Sequence, residues 1–489
     1  MKKTALFIAI FAFLHGCSTF RSYKDEQKPI LESLAANSTT DALAKLEKNA
    51  PSERDLLFFL EKGEIQRIGK SFTESISTWT EADHMIETWE NEAKVNMGKI
   101  GAAIGSTLIN DKVLKYDGED YEKVMLTTRQ ALNYLAAGQQ DDAMVEMKKT
   151  WEREELIKQI HEKEIESAEE EAKSKGYKTE YSDLKGYPIS TLNSPDVISL
   201  KNGYQNAFSQ YLAGFIAEST GDIGNAAAGY RTAIELQPNI ESLKQHLAEL
   251  DARIAAKNKA LSLPEEMSSS SAKVNSKYDK GKKGKPVMEE PNTAPSQSLL
   301  DSLKNNSDVL LVVENGVAPV KGGLTIPLPI PKAGLVPISF PTLETDPVSA
   351  IKATGVVLPD KTTVRLELIS SLEAMAKRSL KDRLPYIMVR AAVRAALKGL
   401  AQAAAYDQSP LAGLAVNALN IATERPDERI WKTLPADITI ARLRLPEGSQ
   451  DLTLKTTDGE RNVSITVKGK YCVIPIRVIG KSTYVMQGA

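Results

Sequence analysis

Cysteine and histidine are scarce in this 489-residue chain, which holds two of the first and four of the second. Cys17 and Cys472 form no cluster, and His84, His161 and His246 lie in helical segments without the i, i+4 pairing of a zinc site. No Gly-x-Ser-x-Gly elbow, phosphate-cradling glycine loop or dinucleotide fingerprint is present. These absences point away from an enzyme and from a cofactor. A hydrolase built on two carboxylates leaves no sequence signature, and among 64 acidic residues it stays open. Excess charge is lacking as well: 62 Lys and Arg against 64 Asp and Glu give a net −2. Nucleic-acid binding rests on neutralising phosphate, so nucleic acid is not an expected partner. No apolar run after residue 14 reaches the ~18 uncharged residues of a membrane-spanning helix.

The N-terminus is the informative exception. Lys2 and Lys3 precede an apolar stretch from Ala5 to Leu14, and Gly16 stands before Cys17. The stretch is too short to span a bilayer and reads as an export signal over residues 1–16. Leu14-His15-Gly16-Cys17 resembles the lipobox of bacterial lipoproteins. That resemblance implies cleavage ahead of Cys17 and acylation of its thiol and amino group with chains of the palmitate class; the competing reading is a signal cleaved elsewhere. Two or more chains, at ~0.8 kcal/mol per buried methylene, give a lasting hold on a bilayer. Ser18 in place of Asp implies the outer membrane, on its periplasmic face. With Cys17 acylated, Cys472 has no partner within the chain. Cys472, Ile474, Ile476 and Val478 alternate onto one strand face, which predicts a buried thiol.

The pattern predicts a multidomain chain: an all-α helical repeat domain, then an α+β domain with short β-strands and an inserted Ala-rich helical segment. Residues 17–54 read as the lipidated cysteine and a polar spacer. From 55 to 260 the periodicity is helical and repeats. In residues 212–238, Gly214, Gly221, Ala226, Tyr230, Ala233 and Pro238 fall at the small, aromatic and closing positions of the tetratricopeptide repeat, which this segment resembles. Tyr134, Gly138 and Ala143 mark a second copy and Gly63 and Trp79 a third. The aromatics are expected to be packing residues between helices. Stacked helix pairs bury apolar faces that one pair cannot, and their curved surfaces bind proteins or peptides. Charge-dense residues 151–175 predict an exposed helical arm. Residues 261–304 are rich in Ser, Pro, Lys and Gly and predict a flexible linker. The Ser270–Lys273 spacing there lacks the rigid helix that an acyl-accepting serine needs.

Residues 305–489 turn to strands, with helices inserted between two sets and a break predicted at Pro385. Arg390, Arg394 and Lys398 recur every four residues, as a solvated row or a contact for lipid, glycan or an acidic partner. Asp427, Arg429 and Trp431 lie in a proline-bounded loop. They read either as an ion pair pinning the loop with the indole over the core edge, or as a partner-binding loop. The signal, residues 116–149, ENGVAPVK at 314–321 and TERPDERIWKTLPADITIARLRLPEG at 423–448 resemble a family of bacterial outer-membrane lipoproteins with tetratricopeptide-like repeats. The resemblance implies an envelope protein and transfers no catalytic residue. The expected function is a lipid-anchored periplasmic scaffold whose partners are envelope proteins or peptides. The alternative is a peptidoglycan-binding lipoprotein or a regulator of peptidoglycan synthesis.

Overall fold

The computed structural model describes residues 22–50, 53–96, 115–175, 186–261, 306–330, 334–423 and 426–488. Cys17, the signal and the 262–304 linker lie outside the described residues. The N-terminal part is helical: α1 (Tyr23–Ala35), α2 (Thr39–Asn49), α3 (Leu56–Ile68), α4 (Phe72–Asn96), α5 (Asp120–Ala136), α6 (Gln140–Lys175), the short α7 (Ile189–Leu192) and α8 (Pro195–Ile198), α9 (Ala207–Ser219), α10 (Ile223–Leu236) and α11 (Glu241–Leu261). The segment expected to be a spacer thus builds two helices. α1 buries Ile30, Leu31 and Leu34, an i, i+1, i+4 stripe, against residues from the far end of the chain.

Two of the helical hairpins repeat one device, a small residue facing an aromatic. A Cβ on Gly63 of α3 would strike the indole of Trp79 on α4, and Ser75 Oγ donates to the Gly63 carbonyl at 2.7 Å. In the α9–α10 pair, a Cβ on Gly214 would come within 2.8 Å of the Tyr230 ring. Ala226 and Ala233 are buried there, and Pro238 follows the end of α10. In the α5–α6 pair Ala143 is buried and Tyr134 is half-buried. The last two pairs turn on Gly138 (φ +75°) and Gly221 (φ +82°), left-handed positions that glycine takes without strain. α6 differs from the expected exposed arm. Arg153, Leu156, Ile157 and Ile160 are buried, because the helix packs against α5 and a later helix before it continues toward Lys175.

The C-terminal part contains β1 (Ser307–Asn315), β2 (Val320–Ile330), β3 (Gly334–Glu344), a 3-10 turn at Pro347–Ala350, β4 (Ala353–Val357), β5 (Thr363–Arg365), β6 (Glu367–Ser371), α12 (Leu372–Gln408), α13 (Pro410–Thr423), β7 (Asp437–Leu445), β8 (Gly448–Thr456), β9 (Gly459–Val467), β10 (Tyr471–Ile479) and β11 (Ser482–Val485). One sheet runs β11-β10-β1-β7-β6, the second β5-β4-β8-β9, and β2 and β3 form a separate hairpin. β1 pairs parallel with β10 and antiparallel with β7. Every residue of β1 is buried. Val309, Leu311 and Val313 face the second sheet, while Leu310 and Val312 face the helices, so a continuous apolar strand serves two cores. α12 runs through Pro385 without the expected break. Proline removes one intrahelical hydrogen bond, and the burial of Leu380, Leu384, Met388 and Ala391 on either side of it offsets that loss.

The helical and strand-bearing parts, expected as two domains, share one core. A single apolar cluster runs from Leu57, Trp79 and Tyr211 through Leu310 and Phe340 to Trp431. At its centre lie buried charges. Glu314 on β1 accepts from Arg67 of α3 at 3.1 and 3.2 Å and from Arg129 of α5 at 2.9 Å, with Arg477 of β10 at 3.8 Å. Glu64 pairs with Arg129 through Nε at 2.5 Å and through Nη2. Burial pushes the Glu314 carboxyl up, but Arg129, Arg67 and Arg477 outweigh it and hold it at about 2. A second node is Glu218 of α9, which accepts from Tyr230 at 2.8 Å, Arg442 of β7 at 2.8 Å and Arg253 of α11 at 3.2 Å.

Two other buried carboxyls shift the opposite way. Burial raises Glu154 to about 8, and burial with the neighbouring Glu119 raises Glu122 to about 7. A carboxyl whose folded pKa exceeds its unfolded value binds more protons when folded. Its stabilisation is complete below the unfolded pKa and is lost as pH rises through the folded one. Glu314, depressed, behaves in reverse and loses its contribution only below the unfolded value of 4.5. The melting temperature is therefore expected to fall between mildly acidic and mildly alkaline pH, and Glu154→Gln to flatten that slope. Thermal melts of both chains across this range check it.

Candidate functional site

The loop read either as pinned by an ion pair or as a partner-binding loop turns inward. Trp431 has 0% exposure and stands edge-to-face on Trp79 at 5.8 Å between centroids. Its main-chain N–H donates to Glu122 at 2.7 Å, while the N–H groups of Lys432 and Thr433 donate to Glu61 at 2.6 and 3.1 Å. Residues 431–433 therefore lie as a tight turn against the helical array, with two carboxylates accepting from its main-chain N–H groups. Asp427 and Arg429 pair with each other at 2.7 and 2.8 Å, the guanidinium over the Tyr116 ring at 5.2 Å, which pins the approach to this segment. The row on α12 is not a solvated face either. Arg394 and Lys398 are 6% and 7% exposed, and Arg390 lies beside Tyr386 at 5.7 Å. The structure brings Trp431 together with the repeat residues Trp79 and Gly63, and leaves the cations of α12 elsewhere. Of the repeat positions, Gly63, Trp79, Ala143, Gly214, Ala226, Tyr230 and Ala233 are buried, whereas Gly138 and Gly221 stand in open turns and Pro238 is exposed.

With this apolar face covered by the chain itself, one concave feature among the described residues is a cleft of about 370 Å³ where the α5–α6 turn, the end of α9, the start of β10 and the C-terminal tail meet. Leu132, Leu135 and Phe215 supply apolar wall, and Phe215 meets Tyr471 edge-to-face at 5.8 Å. Gln140 and Ser219, hydrogen-bonded to each other, supply polar wall. Lys468 is the one charged side chain in the lining. That volume lies at the small end of ligand pockets, enough for one or two side chains.

The β10 edge gives the cleft its chemistry. Asp308 N–H donates to the Lys470 carbonyl and Gly316 N–H to that of Val478, so alternate residues from 470 to 478 face β1 and Tyr471 and Val473 face away. β11 pairs only with Ile476–Ile479, and Met486 N–H then takes the Pro475 carbonyl. The tail leaves at that point: Gln487 bonds Thr466 of β9, and Gly488 lies against the Ala136 carbonyl at the end of α5. Among the described residues, no strand covers the outer edge of Tyr471–Val473. An open edge inside a cleft takes an extended chain by strand addition, with main-chain bonds for affinity and flanking pockets for side chains. Cys472 points to the other side, toward Ile474 and Ile476, and burial raises its thiol above the ordinary value, so it stays protonated. Sequence reasoning identified the Cys472 face but missed the cleft. Its walls come from three distant segments, and the one local signal was the unequal length of β10 and β11.

No group of three or more His, Cys, Asp and Glu able to hold a metal occurs among the described residues. No protein-family profile matches the chain, and no curated protein matches it. Solved structures that match in part are tetratricopeptide-repeat proteins. One is the TPR2AB domain of yeast Sti1 in a pHSP90 complex, with 14% identity over 49% of this chain and 86% of that one and a TM-score of 0.18. Another is a tetratricopeptide repeat protein from Parabacteroides merdae, with 15% identity over 47% and 98% and a TM-score of 0.13. Superposition at that level carries no argument about function, and the repeat reading rests on the three hairpins of this chain.

Proposed function

We propose that this chain is a lipid-tethered scaffold on the periplasmic face of the outer membrane, which holds an extended segment of another envelope protein in the cleft beside β10. The observation that carries this reading is the Tyr471–Val473 edge, which lines the cleft and is left uncovered by any strand among the described residues. Lys468 at the mouth favours a segment bearing a carboxylate, from an acidic residue or a chain end. Tethering at Cys17 would keep the cleft at one leaflet and raise the local concentration of the captured segment.

The test is in-cell photo-crosslinking from Gln140 in the full chain. Discrete adducts with envelope polypeptides are expected, and Val473→Pro should abolish them by removing an outward N–H while leaving the β1 ladder intact. Lys468→Glu, an exposed change that leaves the fold alone, should weaken them. Unchanged adducts in both variants would overturn the site. Sedimentation of the full chain with purified sacculi and no protein adduct would favour the peptidoglycan reading instead.

A further inference from the structure

Four of the large exposed apolar side chains sit on one structural unit. Leu400, Leu411 and Leu414 are 68%, 77% and 58% exposed and Tyr406 is 37% exposed. All belong to the hairpin of α12 and α13, which closes tightly because Gly413 lies against the Tyr406 ring with no room for a Cβ. Residues 399–423 contain one charged side chain, Asp407. A lone exposed leucine needs no explanation, but a grouped, nearly uncharged set marks a surface that is covered when the protein works.

The position of the hairpin says what covers it. α13 ends at Thr423, and a short way on Glu428 accepts a hydrogen bond from Ser22 Oγ at 3.3 Å. Ser22 is the first described residue, five residues beyond Cys17. Chain arriving from the tether thus joins the body at the root of this hairpin. Five residues span at most about 18 Å. The 14 residues of α13 rise about 21 Å from root to tip at 1.5 Å per residue. Tether and hairpin have similar lengths, so a body held at Cys17 keeps the hairpin tip, whose one charge is Asp407, within reach of the same surface. At that length α13 falls short of the ~30 Å hydrocarbon core, and no helix among the described residues is long and apolar enough to cross a membrane. The tip can enter one leaflet and go no further.

We infer that the end of the α12–α13 hairpin lies along the headgroup–acyl boundary of the leaflet that carries the tether, with Leu411 and Leu414 of α13 in the acyl region and Tyr406 and Asp407 of α12 at headgroup level. This rests on the tethered reading. Its added content is a second point of contact, which fixes the orientation of the β10 cleft relative to the membrane, where acyl chains alone would leave the body free to swivel.

The experiment uses the full, acylated chain on vesicles of phosphatidylethanolamine and phosphatidylglycerol. A polarity-sensitive fluorophore is placed at Leu411→Cys in a Cys472→Ser background, and nitroxide-bearing lipid is the quencher. Blue-shifted emission quenched several-fold is expected at Leu411→Cys and at Leu414→Cys. The same label at Ile198→Cys, another exposed apolar position, should stay water-like and unquenched. Water-like emission at Leu411 and Leu414 on vesicle-bound protein overturns the inference and leaves the tether standing. A blue shift without lipid quenching overturns it in favour of burial by a second copy. Protein that stays off the vesicles altogether sinks the tethered reading, and the hairpin contact with it.

Discussion

Glu314→Gln is expected to destabilise the whole molecule by about 3–5 kcal/mol, the cost of leaving buried charge without its counter-ion. Glu314 is 0% exposed and faces Arg67, Arg129 and Arg477, themselves buried, with only Glu64 to share the load. Glutamine keeps the shape and some hydrogen bonds but removes the charge, so three guanidinium groups would face one carboxylate. Arg477→Met is expected to cost markedly less. The cluster already carries one more cation than anion, and burial lowers the Arg477 guanidinium to about 10. Urea titrations of both variants check the order. They should also show far-ultraviolet dichroism and tryptophan fluorescence changing together, because the cluster lies where α3 and α5 meet β1 and β10 and the two parts share a core.

Trp431→Ala should cost a similar amount, about 3–5 kcal/mol, from lost burial and the cavity left beside Trp79. Two effects add to the loss of the ring. The Trp431 N–H holds Glu122, and Thr433 Oγ1, which takes the indole N–H at 3.2 Å, is also bound to Glu61. A loosened segment would strip two buried carboxylates of several donors, leaving Glu122 to Tyr116 and the Glu119 N–H and Glu61 to Tyr23. Trp431→Phe, which keeps an aromatic edge on Trp79, should recover much of the loss. Thermal melts of the two variants measure the difference, and equal melting temperatures for Trp431→Ala and the unmodified chain would show the segment to be an ornament of the core.

Local pattern carried a good deal of this structure. The alternation in 471–479 and the continuous apolar run in 309–313 correspond to strands, and glycines at 138 and 221 mark turns where the backbone must go left-handed. What pattern could not carry was assembly. Arg67 and Glu314 are 247 residues apart, and Lys432 and Glu61 371 apart. Nothing periodic in either segment announces its partner. Arg394 and Lys398 illustrate the same limit: four-residue spacing puts them on one side of a helix, yet whether that side meets solvent depends on neighbours from other elements. For Trp431 composition was ambiguous in principle, since a charged, proline-bounded loop reads alike whether its indole turns out or in.

The meeting of α1 with the last strand has a consequence for how the molecule is made. Tyr484 OH and Ser482 Oγ donate to the Leu34 and Ala35 carbonyls, and Met486 lies among Ile30, Leu34 and Phe58. The residues that complete the surroundings of α1 follow it by as many as 450 positions. α1 therefore gains its partners only once β11 has been made, and a truncation before Ser482 is expected to undo the packing of α1 as thoroughly as the sheet edge it removes.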